Sequence, residues 1–458
     1  MLIEKNRLKS VLVSVLDQRL AQGADLDRDT MTGRIEAAGT SYDALYEMAL
    51  ELREPPLRSD WTYVEPIDWP AIQSASLKLD PLADWPVPNL ESAGDRARAG
   101  FLGSVCGCML GKPVEIDPTL AELKQAAQGG EAWPLNDYVS VALLDRLGRR
   151  HESWRETARE HISAVAADDD IHYTLLGMMV LEQYGPDFTH ADLYELWSLN
   201  IPQGWTWGPE RSTLLVEGIN RHHLFEKSGL PGTHDVLFLN PGDELCGALI
   251  RADAYGYACP GNPDLAAWLA WKDASFTHIK TGVYGSMFVA TLIALCHGAE
   301  AGNPGNHRLE LVEEARARIP ANTRFSEVLR SAQSAVEAAS DWEKGYAAVH
   351  DRYRDYSHCA VYQEIGTLLN TLKFARDIGH GIGLQVSQGN DTDSFGATAG
   401  SVLGVLFGPG YLEERWLQPF RDRLQHGLSD EKERRLSAMG LRIAALPRIN
   451  HANRNKEG

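Results

Sequence analysis

Two ladders of glycine constrain the fold more than any other feature of this sequence. Gly103, Gly107 and Gly111 recur every fourth residue in GFLGSVCGCMLGKPVE (100–115). Gly396, Gly400 and Gly404 do the same in SFGATAGSVLG (394–404), with Ala397 and Ser401 on the adjacent row. A four-residue step keeps successive side-chain positions close to one face of a helix. Each ladder therefore predicts a helix with a smooth face, against which a neighbouring backbone can pack closely. Helical spacing prevails elsewhere too, over 174–184, 211–227, 263–274, 282–298, 308–317, 323–338, 342–354 and 360–375. Leu176, Met179 and Val180 illustrate its three- and four-residue steps. Period-two alternation is scarce, and VLFL at 236–239 is about the longest strand-like run. The pattern predicts an all-α fold, a compact multi-helix bundle.

The N-terminal part differs. Residues 1–52 read as amphipathic helices, with Leu8, Leu12, Leu16 and Leu20 close to one face. Seven prolines then fall between residues 53 and 95, with Trp61, Trp69 and Trp85. Proline removes a backbone donor and fixes φ, so this stretch cannot be one long helix. It reads as an extended arm pinned by its tryptophans. The expected organisation is an accessory region over 1–95, a main helical domain over 96–445 and a polar tail over 446–458.

Composition excludes some classes of function. The chain carries 44 basic and 63 acidic side chains, a formal charge of −19, which a nucleic-acid scaffold would repel. No segment offers the roughly 18 uncharged apolar residues of a membrane span, and the first residues mix charge with apolar positions unlike a signal peptide. Cys106, Cys108, Cys246, Cys259, Cys296 and Cys359 show no CxxC spacing and sit mostly in apolar runs. They read as reduced thiols of a cytoplasmic protein. Cys106 and Cys108 are poorly spaced for zinc.

Acidic residues punctuate the helices at three places. Asp391 and Asp393 follow the turn formers Gly389 and Asn390 and precede the second glycine ladder. Residues i and i+2 diverge on a helix, so this pair converges only from a turn that leads into one. An Asp N-cap with a solvated neighbour would give the same local pattern. Asp168, Asp169 and Asp170 stand directly before an apolar helix. One aspartate satisfies a cap; three repel one another by roughly 1 kcal/mol per close pair, which a divalent cation would turn into coordination. A solvated helix N-terminus favoured by the helix dipole is the competing account. The third place is Glu115, after the first ladder is stopped by Pro113.

Together these motifs resemble the ADP-ribosylglycohydrolase family. There a Gly-rich helix ends in G-x-P-x-E, a paired-aspartate motif opens a later helix, and G-x-D-T-D-[ST] lies near the C-terminus. The matching residues are Gly111-Lys112-Pro113-Val114-Glu115, Asp168-Asp169-Asp170 and Asn390-Asp391-Thr392-Asp393-Ser394. DASFTHIKTGVYGSMFVA (273–290) resembles the family's histidine-bearing helix start, and NPGDELCGALIRADAYGYACPGNP (240–263) its substrate loop. The five segments occur in family order over roughly residues 96–410. The form GCMLGKPVE is similar to that of one subgroup. Cys108 stands where the family often has Asp, Asp168 where it often has Thr, and Cys246-Gly247-Ala248 in place of a Gly-rich phosphate loop.

The resemblance implies an orthogonal helical bundle with two Mg²⁺ or Mn²⁺ ions in a central cleft. The implied ligands are Asp168, Asp169, Asp170, Asp391, Asp393 and Ser394. The implied reaction is hydrolysis of an N- or O-ribosyl bond, often in an ADP-ribosyl conjugate, through an oxocarbenium-like state. Glu115 is the expected general base or gating acid, with Asp169 next. His278, Gly247, Tyr284 and Trp207 are the expected substrate contacts. Packing roles account for His278 and for Trp205 and Trp207 equally simply. His222 and His223, adjacent on a helix, read as surface residues. A nucleoside or other ribosylated metabolite is the alternative substrate, favoured by the missing phosphate loop. A non-catalytic structural or binding relative is the alternative class. The N-terminal region is left two roles, covering the cleft or making a homodimer contact.

Overall fold

The computed structural model describes residues 4–77, 88–220, 235–300 and 305–454, and the fold is all-α. Among the described residues there are isolated β-bridges but no strand. The helices at Pro263–Ala274, Lys280–Cys296, Gly305–Arg316, Arg324–Ala338, Trp342–Tyr353 and Tyr362–Phe374 fall close to where the spacing puts them. The predicted 211–227 helix is seen as Gly208–Asn220; its remainder, with His222 and His223, lies outside the described residues. So does Trp85.

The strand-like run at 236–239 is not a strand. Asp235 Oδ1 accepts from Leu237 N at 3.1 Å, and Asn240 Nδ2 donates to Val236 O at 3.0 Å. Arg19 Nη2 donates to Leu237 O at 3.0 Å, and Leu239 takes φ of 50°. Side chains satisfy this backbone locally, and Phe238 and Leu239 pack on the N-terminal helices. Hydrophobicity here serves docking, not a sheet.

At the centre, the two glycine ladders pack against each other. They lie on Leu90–Gly111 and Thr392–Phe407. A β-carbon at Gly107 would stand 1.9 Å from Gly396 O, and one at Gly400 would stand 2.0 Å from Gly103 O. Any side chain there would force the backbones apart. The contact is tied at its end by Thr392 Oγ1 donating to Gly111 O at 2.9 Å. Asn89 caps the first helix, which breaks at Gly111 into a 3₁₀ turn over Lys112–Val114. Lys280–Cys296 is buried on every side from Thr281 onward, as a helix apolar all round must be.

The helices Lys5–Ala21, Arg28–Ala37 and Tyr42–Glu51 form a separate small core around Leu8, Leu12, Leu16 and Ile35. Burying each of these aliphatic side chains contributes about 1.5–3 kcal/mol. Arg19 and Asp243, both fully buried, join this region to the main bundle by an ion pair at 2.7 Å. The arm that follows holds one short helix, Trp69–Ala75. Trp61 fills the space beside Gly23, and Trp69 packs on Trp271 with ring centroids 5.5 Å apart. Two of the three tryptophans thus pin the arm as expected.

Candidate active site

The close approach of the two glycine helices brings the first and third acidic motifs together at one end of the pair. The third is set by its turn. Gly389 and Asn390 have φ of 80° and 61°, a left-handed conformation that glycine and asparagine tolerate best. Asn390 N donates to Pro118 O at 2.8 Å, fastening the turn to the chain that follows Glu115. The second motif enters at the start of Asp169–Tyr184. Asp168 is its N-cap and accepts from Asp170 N at 3.1 Å. Asp391 also occupies an N-cap position, yet its side chain makes no capping bond. The ordinary account therefore holds for Asp168 and fails for Asp391.

Lys112 stands at the meeting point. Its Nζ lies 2.7 Å from Glu115 Oε2, 2.8 Å from Asp168 Oδ2 and 2.8 Å from Asp393 Oδ2. Burial works against the ammonium, but Asp168, Asp393 and Glu115 outweigh it and hold its pKa well above the ordinary lysine value. Asp393 is correspondingly held below the usual carboxylate range, since Lys112 overcomes its burial. Four other acids move the other way. Burial pushes Asp170 and Asp391 well up, reinforced by neighbouring aspartates. Asp169 is raised to about 8 by burial and then by Asp168. Glu115 is raised to about 10 by burial and then by Asp393.

One lysine does not balance this group. Asp170 is 1% exposed, and neither of its carboxyl oxygens has a hydrogen-bond partner. Asp393 Oδ1 is likewise unpaired. Buried carboxyl oxygens are ordinarily bonded, and leaving one bare costs about 1–3 kcal/mol or more. The Cys108 thiol is close, with ligand atoms of Cys108, Asp168 and Asp170 all within 4.8 Å of one another. Glu115 and His151 form the rim, 32% and 26% exposed at their side chains and 3.8 Å apart.

On the Asp391 side a second group assembles. Cys246 Sγ donates to Asp391 Oδ2 at 3.5 Å, and Cys246, Cys359 and Asp391 hold their ligand atoms within 4.8 Å of one another. The Cys246 thiol, then His358, pull the Cys359 thiol down to about 5, while His358 rises to about 9. Glu364, 1% exposed, accepts from Asn390 Nδ2 at 3.2 Å through one oxygen and leaves the other unpaired. Sequence reasoning missed Lys112, Cys246, Cys359, His358 and Glu364. Only Lys112 had a local cue, a cation inside an acidic motif.

The expected substrate contacts sit differently. Gly247 and His278 border a second buried cation, Arg251. Its Nη1 donates to Gly247 O at 3.1 Å and to Glu210 Oε1 at 2.7 Å. A β-carbon at Gly247 would stand 2.4 Å from Glu210 Oε1, so glycine there admits a carboxylate. His278 is fully buried and shares a 2.7 Å hydrogen bond with Thr277 Oγ1; burial and Arg251 hold its pKa well down. Tyr284 is also fully buried and donates to Pro66 O in the N-terminal arm at 2.5 Å. Trp207 is 59% exposed beneath Arg211, and Trp205 meets His172 edge-on at 5.2 Å. Ser394 lies beside Asp391 and helps hold its carboxyl down against burial.

Carboxylates from three distant segments of this all-helical bundle thus meet at Lys112. The family model for ADP-ribosylglycohydrolase matches residues 89–446, and the chain belongs to that family. A search of curated proteins gives no match. Among solved structures of similar fold is one titled "ADP-ribosylglycohydrolase-related protein complex", at 20% identity and a TM-score of 0.46, covering 78% of this chain and 99% of that one. No helix among the described residues is long and apolar enough to cross a membrane.

Proposed function

We propose that the protein is a binuclear, divalent-metal-dependent hydrolase that cleaves a ribosyl N- or O-glycosidic bond, with an ADP-ribosylated molecule as substrate. The observation that carries this reading is the set of bare, buried oxygens on Asp170 and Asp393 beside a single lysine. Such a set fits a hard cation better than it fits the protein alone. Asp168, Asp169, Asp170, Asp391, Asp393 and Ser394 would hold Mg²⁺ or Mn²⁺. When bound, the ions would supply positive charge for the ribose hydroxyls and acidify a water.

The chain's own groups do the rest. Glu115 stands at the rim with a pKa near 10, so in the ion-free protein it holds a proton at neutral pH. That suits it to protonate the departing atom, and its anion to recover the proton from water. Lys112 fixes the Glu115 carboxyl in place. Asp169, partly exposed, is the second candidate to carry a proton if it is not bound to an ion. One observation favours the nucleoside or ribosylated-metabolite reading. The place of a phosphate loop at Gly247 is filled by the Glu210 carboxylate, itself paired with Arg251, which leaves no space there for a diphosphate.

Residues 1–95 act as an accessory region held to the catalytic unit by Arg19 and Trp69; the tail expected from 446 instead begins inside the helix Leu436–Arg454, with Leu446 in the core. Six free thiols support a reducing, cytoplasmic setting. The test is direct. With Mg²⁺ or Mn²⁺ present, release of ADP-ribose from a modified protein is measured beside release of free base from nucleosides. ADP-ribose release that is lost in Asp170→Asn supports the first reading. Base release alone supports the second, and neither product, with metal bound, overturns both.

A further inference from the structure

We propose that Cys246, Cys359 and Asp391 form a thiophilic cation site, so that one ion of this protein is held by sulfur as well as oxygen. The inference rests on the reading above only in taking Asp391 as a metal ligand. The three ligand atoms lie within 4.8 Å of one another. Tetrahedral zinc, with bonds of about 2.3 Å to sulfur and about 2.0–2.2 Å to oxygen, sets its ligands roughly 3.5–3.8 Å apart. The Cys246 to Asp391 separation is already 3.5 Å, and modest side-chain rotation brings the third atom in.

The backbone is arranged to keep these side chains together. Cys246 N donates to Cys359 O at 3.0 Å, which clamps two distant segments at the sulfur-bearing residues. Asp391 sits at the start of a helix that it does not cap. Its carboxylate takes the Cys246 thiol instead of a backbone N–H, so its ordinary structural duty is unfilled. A second observation points the same way. Glu364, 1% exposed, interacts with Asp391 and Cys359 and presents a carboxyl oxygen with no partner. An unpaired acceptor that feels both the Cys359 thiol and the Asp391 carboxylate is a poor arrangement for a core and a usable one for a cation.

The donor set selects the ion. Thiolate disfavours Mg²⁺ and suits Zn²⁺, Co²⁺ or Fe²⁺. A sulfur that still carries its proton gives it to solvent as the bond to the ion forms. Cys359 is partly exposed, so the fourth position can open towards solvent, the form that catalytic zinc sites share.

The experiment titrates reduced, ion-free, full-length protein with Co²⁺ and reads the near-ultraviolet sulfur-to-cobalt charge-transfer band. We expect a saturable band that is lost in Cys246→Ser and in Cys359→Ser and kept in Cys108→Ser. Should either variant fail to fold, alkylation of the wild type gives the same answer. Bound Zn²⁺ then shields Cys246 and Cys359 from iodoacetamide, as mapped by mass spectrometry. Cobalt binding without the band means all-oxygen ligation; it overturns this inference and leaves the proposed function standing. A band lost only in Cys108→Ser, or a Cys246–Cys359 disulfide that forms readily with no ion bound, also overturns it. Failure of Co²⁺, Mg²⁺ and Mn²⁺ alike to bind sinks both.

Discussion

Arg251 and Lys112 are both buried cations among carboxylates, and only around Arg251 do the carboxylates find all their hydrogen bonds. Arg251 meets Glu210 and Asp273, with Thr277 Oγ1 and the carbonyls of Gly247 and Asp273 taking its remaining donors. The second oxygen of Asp273 accepts from Tyr255 OH at 2.9 Å. Every donor of the guanidinium is taken, so its hydrogen bonds close on themselves, which is what a structural ionic network requires. Lys112 meets three carboxylates at once and has more behind it, among them Asp170 with both oxygens bare. The fold tolerates that deficit because the glycine helices hold the acids in place. An incomplete network that the scaffold enforces is the mark of a site.

The largest expected effect breaks the balanced side. Arg251→Met leaves Glu210 and Asp273 as uncompensated buried charges and should cost about 3–5 kcal/mol in chemical denaturation. A variant as stable as wild type would erase the distinction between the two networks. On the deficient side the sign reverses. Divalent metal at a hundredfold its Kd should stabilise the wild type by about 2.7 kcal/mol. Asp170→Asn should abolish that gain, while the ion-free variant melts no lower than wild type.

The scaffold comes next. Gly107→Ala drives a methyl into Gly396 O and should cost about 1–3 kcal/mol. It should also weaken metal binding, because Lys112 and Asp393 sit at the ends of the displaced helices. A further expectation is acid sensitivity away from the site. Burial lowers His172 to about 4 and His297 to about 3, below the ordinary 6.5. Their neutral forms support the fold above pH 6.5, and that support is lost as pH falls towards those values. Each contributes about 1.4 kcal/mol per pH unit in that window. Ion-free Asp170 and Asp391, whose carboxyls are raised, act oppositely and penalise the fold as pH rises. Melting curves from pH 7 to 5 should therefore be steeper with metal bound than without it.

Much of this was legible in the sequence because it is locally encoded. Helical spacing located most of the helices, and two glycine ladders announced close packing without saying that they pack on each other. The aspartate runs marked the carboxylates that the fold gathers around Lys112. What the sequence hid is tertiary. Cys246 and Cys359 belong to segments with no spacing relation, and Glu364 reads as one more polar residue in a helix. Lys112 was visible as a letter, but its grip on Asp168 and Asp393 depends on three segments meeting. VLFL only looks strand-like: its apolar side chains dock the N-terminal helices while Asp235, Asn240 and Arg19 satisfy its backbone.

A crystal soaked in Mn²⁺ and measured at the manganese absorption edge addresses the central claim most directly. The account predicts an anomalous peak bonded to a carboxyl oxygen of Asp170, with Lys112 still paired to Asp393. An empty map at millimolar manganese, with the Asp170 oxygens bonded only to water or protein, would contradict it.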